Sequence, residues 1–301
     1  MSDNYSFGIQ NFGLSDEVYK FLTKEIDIIY HNGAHVNHLY DYNLLRSTNV
    51  CSTIEILKLT CTQKNKELNY ISTLSAVGDF TKNDGYILEE FIGLDYEVPP
   101  NDGYSQTKWV SEKLLSEASN RNFRINIYRP GWIFGNSNTG YFPVTGNHLL
   151  LLIKSCIQMK IAPNWKTKLN ILPVDFVSEF IVKTREHNNS VNTVYNLTNN
   201  NPLSWNDIIQ YINQFGHKVK MISPEKWTKK IQNIDEKNAL FNLLPLYIGY
   251  ENDFDKNLNK VSLSHCSNTL NAINELKINH PNIDQNILYQ CFSKLNENVT
   301  N

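Results

Sequence analysis

Four short apolar runs, rich in β-branched and aromatic residues, recur through the first two thirds of the chain: "IDIIYHN" (26–32), "LNYIST" (68–73), "INIYRPG" (125–131) and "TVYNLT" (193–198). Each closes on polar or turn-forming residues, the pattern of a strand buried on both faces. Between them lie stretches with helical spacing, around 43–60, 103–119, 147–159 and 175–185. Parallel neighbours need a crossover of about a dozen residues or more, which a helix supplies. The alternation therefore confines the chain to an α/β fold with a parallel, doubly wound sheet.

After "NNNPLSW" the pattern changes. Ser204 can cap a helix running to about Phe215, Pro224 opens another at "SPEKWTKKI", and residues 235–295 carry helical apolar spacing with no further strand. The expected division is an α/β part over residues 1–203 and a smaller, mostly helical part over 204–301.

A net charge of -2 over 301 residues, with no long basic run, gives no electrostatic reason to expect nucleic acid or an anionic membrane as partner. The longest apolar run, "HLLLLI", is far too short to span a bilayer, and the N-terminus has neither a basic nor an apolar leader segment. Cys51, Cys61, Cys156, Cys266 and Cys291 are widely spaced with no C-x-x-C, as expected of reduced thiols in a cytoplasmic protein. His31, His35 and His38 in "HNGAHVNH" are joined by no carboxylate or cysteine pattern, and their spacing straddles a strand end rather than a helix face, so no metal is expected.

In a doubly wound sheet, ligands sit beyond the carboxyl ends of the strands. The first run ends in "HNGAHVN", placing the small Gly33 and Ala34 where a backbone can approach a ligand closely. The second ends in "STLS", with hydroxyls at Ser72, Thr73 and Ser75, and the third in "YRPG", where Pro130 fixes an extended exit. In "DGYSQTKWVSEKLL", Tyr104 and Lys108 lie one helical turn apart on one face. A lysine cation beside a phenol lowers its pKa and makes tyrosine a usable proton donor and acceptor. Hydride transfer to a carbonyl needs such a group, because negative charge develops on the carbonyl oxygen, and Thr73 could bind the same oxygen.

The ordered set "IIYHNGAHVN", "NYISTLS", "YSQTKW", "YRPGWIFGNSNTG" and "LPVDFV" resembles the extended short-chain dehydrogenase/reductases, most closely their thioester reductase branch. That branch comprises the terminal reductase domains of polyketide and nonribosomal peptide synthases and of carboxylic acid reductases, with fatty acyl reductases of the male-sterility type more distant. The resemblance runs from about Phe12 to Trp227. It implies a Rossmann-like fold, with Thr73 as the hydroxyl partner, Tyr104 as proton donor and Lys108 as the residue that lowers the tyrosine pKa and contacts the cofactor ribose. It also implies that Asn32, Gly33 and Ala34 line the cofactor, that Arg129, Pro130 and Gly131 meet its nicotinamide, and that Asn49 supports the lysine. Asp175 is expected as a helix N-terminal acid and structural anchor. The implied reaction is NADPH-dependent reduction of an acyl thioester on the phosphopantetheine arm of an acyl or peptidyl carrier protein, to an aldehyde or onward to an alcohol.

One departure is large. The family begins with a strand, a turn of the form T-G-x-x-G-x-x-G and a helix that hold the cofactor pyrophosphate. All 13 glycines here are scattered and none forms G-x-x-G-x-x-G. The expectation is an N-terminally truncated Rossmann fold lacking its first three strands, weak or inactive as a reductase unless a separate chain supplies the missing half. A non-catalytic remnant that keeps a carrier-docking surface, and an extended reductase or epimerase acting on nucleotide sugars, are the alternatives.

Overall fold

The computed structural model describes residues 8–77, 86–143, 146–187, 191–248, 264–279, 283 and 287–290. Cys291 and much of the 235–295 stretch lie outside the described residues. In chain order the elements are α1 (Asp16–Glu25), β1 (Ile28–His31), α2 (Tyr42–Cys61), β2 (Glu67–Ile71), α3 (Gly103–Ser119) and β3 (Arg124–Pro130). There follow β4 (Trp132–Phe134), α4 (His148–Met159), β5 (Ile161–Pro163), β6 (Lys168–Leu169), β7 (Ile171–Pro173), α5 (Val174–His187) and β8 (Val194–Leu197). The remainder is β9 (Leu203–Ser204), α6 (Trp205–Gln214), β10 (Lys220–Ile222), α7 (Pro224–Ile231) and α8 (Ser267–Glu275).

Helix starts are set locally by short polar side chains that accept otherwise orphaned backbone N–H groups. Ser15 opens α1, Asp41 opens α2, Asp102 opens α3 and Asn147 opens α4 in this way. Ser204 and Asp207 form a reciprocal capping box at the start of α6.

The chain divides into two compact units, and the division does not follow a cut at residue 203. The first unit is Met1–Pro130, Ile181–Leu197 and Leu263–Lys277; the second is Gly131–Phe180, Thr198–Ser262 and Ile278–Asn301. Residues 131–180 group with the later segments because the core of the second unit is shared between them. Leu149, Leu150 and Ile153 of α4 belong to one buried cluster with Trp165, Trp205, Ile208, Ile212 and Trp227.

The first unit holds a parallel sheet in the order β1-β2-β3-β8. Its four strands fall on the four apolar runs of the sequence, with each end shifted by one or two residues. On one face Ile29, Leu68, Tyr70, Ile125, Ile127 and Val194 pack against Ile56 and Leu59 of α2 and Leu115 and Ala118 of α3. The other face is buried but polar. Asn126 Nδ2 donates to Asn69 Oδ1 at 3.3 Å, the Tyr128 hydroxyl donates to the same oxygen at 3.2 Å, and Tyr128 stacks on Tyr195. These buried polar groups keep partners, which offsets their desolvation. Helix α8 is tied to this unit by the buried carboxylate of Glu89, which accepts from the backbone N–H groups of Asn268 (2.6 Å), Thr269 (3.1 Å) and Asn196 (2.8 Å).

In the second unit, β4 pairs with β7 and β5 with β10, both parallel, while β6 and β9 pair antiparallel. Its expected helices at Ser204 and Pro224 form, but β10 lies between them, so this part is less purely helical than its sequence suggests.

Candidate active site

Helix α3 carries the centre of the site. Its first residue, Gly103, lies so close to the start of α2 that a Cβ there would sit 2.4 Å from the Tyr40 carbonyl oxygen and 2.6 Å from the Tyr42 nitrogen. Only glycine permits this backbone-to-backbone approach. Tyr104 follows, 8% exposed, its ring edge-to-face with His38 at 5.6 Å. One turn on, Lys108 is buried, and its ammonium donates to the Ile71 carbonyl at 2.7 Å and the Tyr70 hydroxyl at 3.3 Å, with Nζ 4.6 Å from the Tyr70 ring centre. An ammonium has three hydrogens, so one remains for a ligand.

Burial pushes the Tyr104 phenol up, and the neighbouring Lys108 pulls it down without prevailing. The lysine thus acts in the expected direction but is outweighed, because the phenol is nearly closed off from water. The consequence is a phenol that is protonated at neutral pH. Burial by itself pulls Lys108 down, but Tyr70, Tyr104 and the Glu112 carboxylate hold it above the ordinary lysine value. His31, buried on the same side, is pushed down to about 4 by burial and by the Lys108 charge. It is neutral there, adding no second cation next to the lysine.

Asn49 of α2 clamps the segment after β1. Its Oδ1 accepts from the His35 N–H at 2.7 Å, and its Nδ2 donates to the His35 carbonyl at 3.1 Å and to Thr107 Oγ1 at 3.0 Å. This fixes the segment carrying the exposed Asn32 and half-buried Gly33 and Ala34 against α3. Support of the lysine by Asn49 is therefore indirect, through the loop and Thr107.

At the end of β2, Thr73 Oγ1 accepts from the Ser75 N–H at 3.3 Å and lies 3.1 Å from Ser75 Oγ, which accepts from Ser105 Oγ at 3.0 Å. Ser72 turns elsewhere, its hydroxyl donating to Glu112 on the face of α3 that carries Tyr104 and Lys108. Glu112 in turn binds Arg129, both side chains fully buried. Arg129 Nε lies 3.0 Å from each carboxylate oxygen, Nη1 donates to the Leu88 carbonyl at 2.9 Å and to Asn196 Oδ1 at 3.4 Å, and Nη2 donates to the Glu90 carbonyl at 2.9 Å. With Nη2 also on Glu112, all five guanidinium hydrogens are engaged. The Arg129 side chain is a brace between β3, α3 and the 88–90 segment, so any approach of "YRPG" to a cofactor is through backbone. Pro130 ends β3 as a buried residue.

Gly131 and Asp175 lie in the second unit. A Cβ at Gly131 would sit 2.7 Å from the Asn170 carbonyl oxygen. Asp175, in the first turn of α5, accepts from the Ser137 N–H at 2.7 Å and from the Ser137 hydroxyl, pinning the "GNSNTG" segment. The structure thus gathers Asn32, Gly33, Ala34, Asn49, Thr73, Tyr104, Lys108, Arg129 and Pro130 in the first unit. Sequence reasoning missed Tyr70 and Glu112. Glu112 carried a signal, since it extends the Tyr104, Lys108 series by another four residues; Tyr70 looks like any buried strand tyrosine.

A family model described as male sterility protein, an NAD-binding family, matches residues 7–181. Over 271 residues the chain is 30% identical to the L-2-aminoadipate reductase large subunit of Penicillium chrysogenum, covering 83% of this chain and 19% of that protein. It spans about a fifth of the length of such curated relatives. Among solved structures, the terminal R domain from the myxalamid PKS-NRPS biosynthetic pathway superposes with a TM-score of 0.83 at 30% identity, over 97% of this chain and 73% of that one. A thiolation-reductase di-domain from an archaeal non-ribosomal peptide synthetase shares the fold, with a TM-score of 0.78 at 21% identity over 94% of this chain and 60% of that one. No helix among the described residues is long and apolar enough to cross a membrane. The family match over more than half the chain, with the 30% identity to that R domain over 73% of its length, means that the chain belongs to the thioester reductase domains of nonribosomal peptide and polyketide synthases, within the extended short-chain dehydrogenase/reductase family of NAD(P)-binding proteins.

Proposed function

We propose that this polypeptide serves in the reductive release of an acyl chain held as a thioester on the phosphopantetheine arm of a carrier protein, in the cytoplasm, with NADPH as reductant and an aldehyde as product. The observation that carries the reading is the buried Tyr104 and Lys108 pair beside the hydroxyls that close β2. The residues present fit the ribose and nicotinamide half of such a cofactor: Lys108 retains a free hydrogen, and the 32–34 backbone is held in place by Asn49. When bound, NADPH supplies a hydride to the thioester carbon.

Tyr104 arrives protonated and gives its hydroxyl proton to the carbonyl oxygen as charge develops there. Lys108 stabilises the phenolate left behind, and Thr73 donates a hydrogen bond to the same oxygen. The resulting thiohemiacetal loses its C–S bond, giving an aldehyde and a free pantetheine thiol. The occurrence of a thiolation domain beside a reductase domain in a relative of the same fold supports a carrier protein as partner.

A second reading has its own observation: no G-x-x-G-x-x-G turn exists within these 301 residues. A dinucleotide gains much of its affinity from backbone N–H groups of that turn. On this reading the 301-residue polypeptide binds carrier protein but binds NADPH weakly, and reduction requires the first part of the fold to be supplied by other residues. Calorimetry with NADPH, using Lys108→Ala as control, separates the two. Micromolar binding that the variant loses, with NADPH oxidation on adding an acyl thioester, supports the reductase as it stands. Absence of binding, with carrier protein still captured, supports the second reading.

A further inference from the structure

The hydroxyls around Thr73 form a chain with a direction. Ser105 follows Tyr104 on α3, is buried, and donates its hydrogen to Ser75 Oγ at 3.0 Å. Ser75 Oγ is 3.1 Å from Thr73 Oγ1, and the Ser75 N–H also points at Thr73 Oγ1, at 3.3 Å. A hydroxyl has one hydrogen to give and two lone pairs to accept with. Ser75 accepts from Ser105 and its own hydrogen is available to Thr73; the Thr73–Ser75 contact admits either donor, and the case with Ser75 donating is the one that frees the Thr73 hydrogen. Thr73 then accepts twice, from the hydroxyl and the N–H of Ser75, and its remaining hydrogen is the one group it can still offer.

We infer that Ser75 and Ser105 are positioning residues that hold Thr73 as a hydrogen-bond donor to the substrate carbonyl oxygen. The reverse polarity, with Thr73 donating to Ser75, would turn a lone pair toward an oxygen gaining negative charge. Stabilising that oxygen requires donors set in place before the charge appears, and a rotating hydroxyl must otherwise be ordered during the reaction. Because Ser105 is the chain neighbour of Tyr104, the same turn of α3 places the proton donor and anchors the far end of the hydroxyl chain. The inference rests on the reductase reading above.

The test uses the carbonyl stretch of a thioester of N-acetylcysteamine, labelled with carbon-13 at the carbonyl and bound to the full chain without NADPH. Hydrogen-bond donation to the carbonyl lowers its infrared frequency, and hydride transfer plays no part in the signal. Wild type is expected to show a lowered frequency to which Tyr104 and Thr73 both contribute, and Thr73→Val to lose the Thr73 share while Tyr104 keeps its own. Ser105→Ala and Ser75→Ala are expected to lose most of the Thr73 share, and Ser75→Thr, which keeps the hydroxyl, to restore it. With NADPH present, Ser75→Ala is expected to lower kcat about tenfold with KM changed less than about twofold, the split of a donor that matters mainly as charge develops. Ser75 is only half-buried, so its variants remain informative if Ser105→Ala does not fold. A lowered frequency that is undiminished in both alanine variants overturns the relay while leaving the reductase reading intact. A wild-type chain that binds the thioester without lowering its frequency, or does not bind it, overturns both.

Discussion

Arg129 shows how a residue singled out for one role takes another. Its guanidinium has no hydrogen left for a cofactor, because Glu112, Asn196 and the carbonyls of Leu88 and Glu90 use all five. Removing one member of a buried ion pair strands the other charge, at a cost of about 3–5 kcal/mol. Arg129→Met is therefore expected to lower the free energy of urea unfolding by about that much, and a loss below about 1 kcal/mol would show that the pair is not a brace. His31 supplies a pH dependence. Its folded pKa of about 4 lies below the ordinary 6.5, so the folded state binds the proton more weakly than the unfolded chain. Its stabilising contribution is complete above about pH 6.5, is lost as pH falls through that window toward 4, and amounts to about 3 kcal/mol. Urea midpoints measured from pH 7 to 4 should fall less steeply in His31→Gln than in wild type; equal slopes would refute the assignment. Tyr104 and Lys108 are legible in the sequence because a four-residue interval on a helix guarantees a shared face. Glu112 shares that interval, so its face is legible although its ion pair with Arg129 is not; Tyr70 is illegible, because its meaning comes from a partner on another element.

Elements position these residues through backbone contacts as much as through side chains. Gly103 is the clearest case, since any side chain there would meet the backbone of residues 40–42. Gly103→Ala is expected to push α3 away from α2 and cost about 1–3 kcal/mol of stability, read as a lower melting temperature. An unchanged melting temperature would mean that the two helix starts tolerate separation. The four strands of the main sheet and the helices between them can be read from apolar runs and periodicity, with strand ends correct to within a residue or two. The short strands β4 to β7, β9 and β10 cannot, because two or three residues carry no period; their partners across the sheet decide them. Helix α1 lies outside the stretches read as helical although its signals are present: Ser15, Asp16 and Glu17 mark its start, and Tyr19 and Leu22 recur at helical spacing toward the core.

For the whole molecule, the aromatic core of the second unit draws on both sides of residue 203. Trp165 lies 5.3 Å from Trp205 and 5.5 Å from Trp227, and the Trp205 indole donates to the Pro163 carbonyl at 2.8 Å. A polypeptide ending at residue 203 is thus expected to expose Trp165, giving tryptophan emission shifted to longer wavelength and no cooperative unfolding of that core. Native-like emission would mean that residues 131–180 pack independently. Each unit is assembled from three stretches of chain, so the polypeptide passes between them at 130/131, 180/181, 197/198, 262/263 and 277/278. For inheritance this has a plain outcome. A single genetic crossover between two relatives cannot exchange one unit and spare the other. Wherever the junction falls, it joins a strand or helix of one parent to packing partners inherited from the other. New variants of either unit must then arise by point substitution or by short replaced segments.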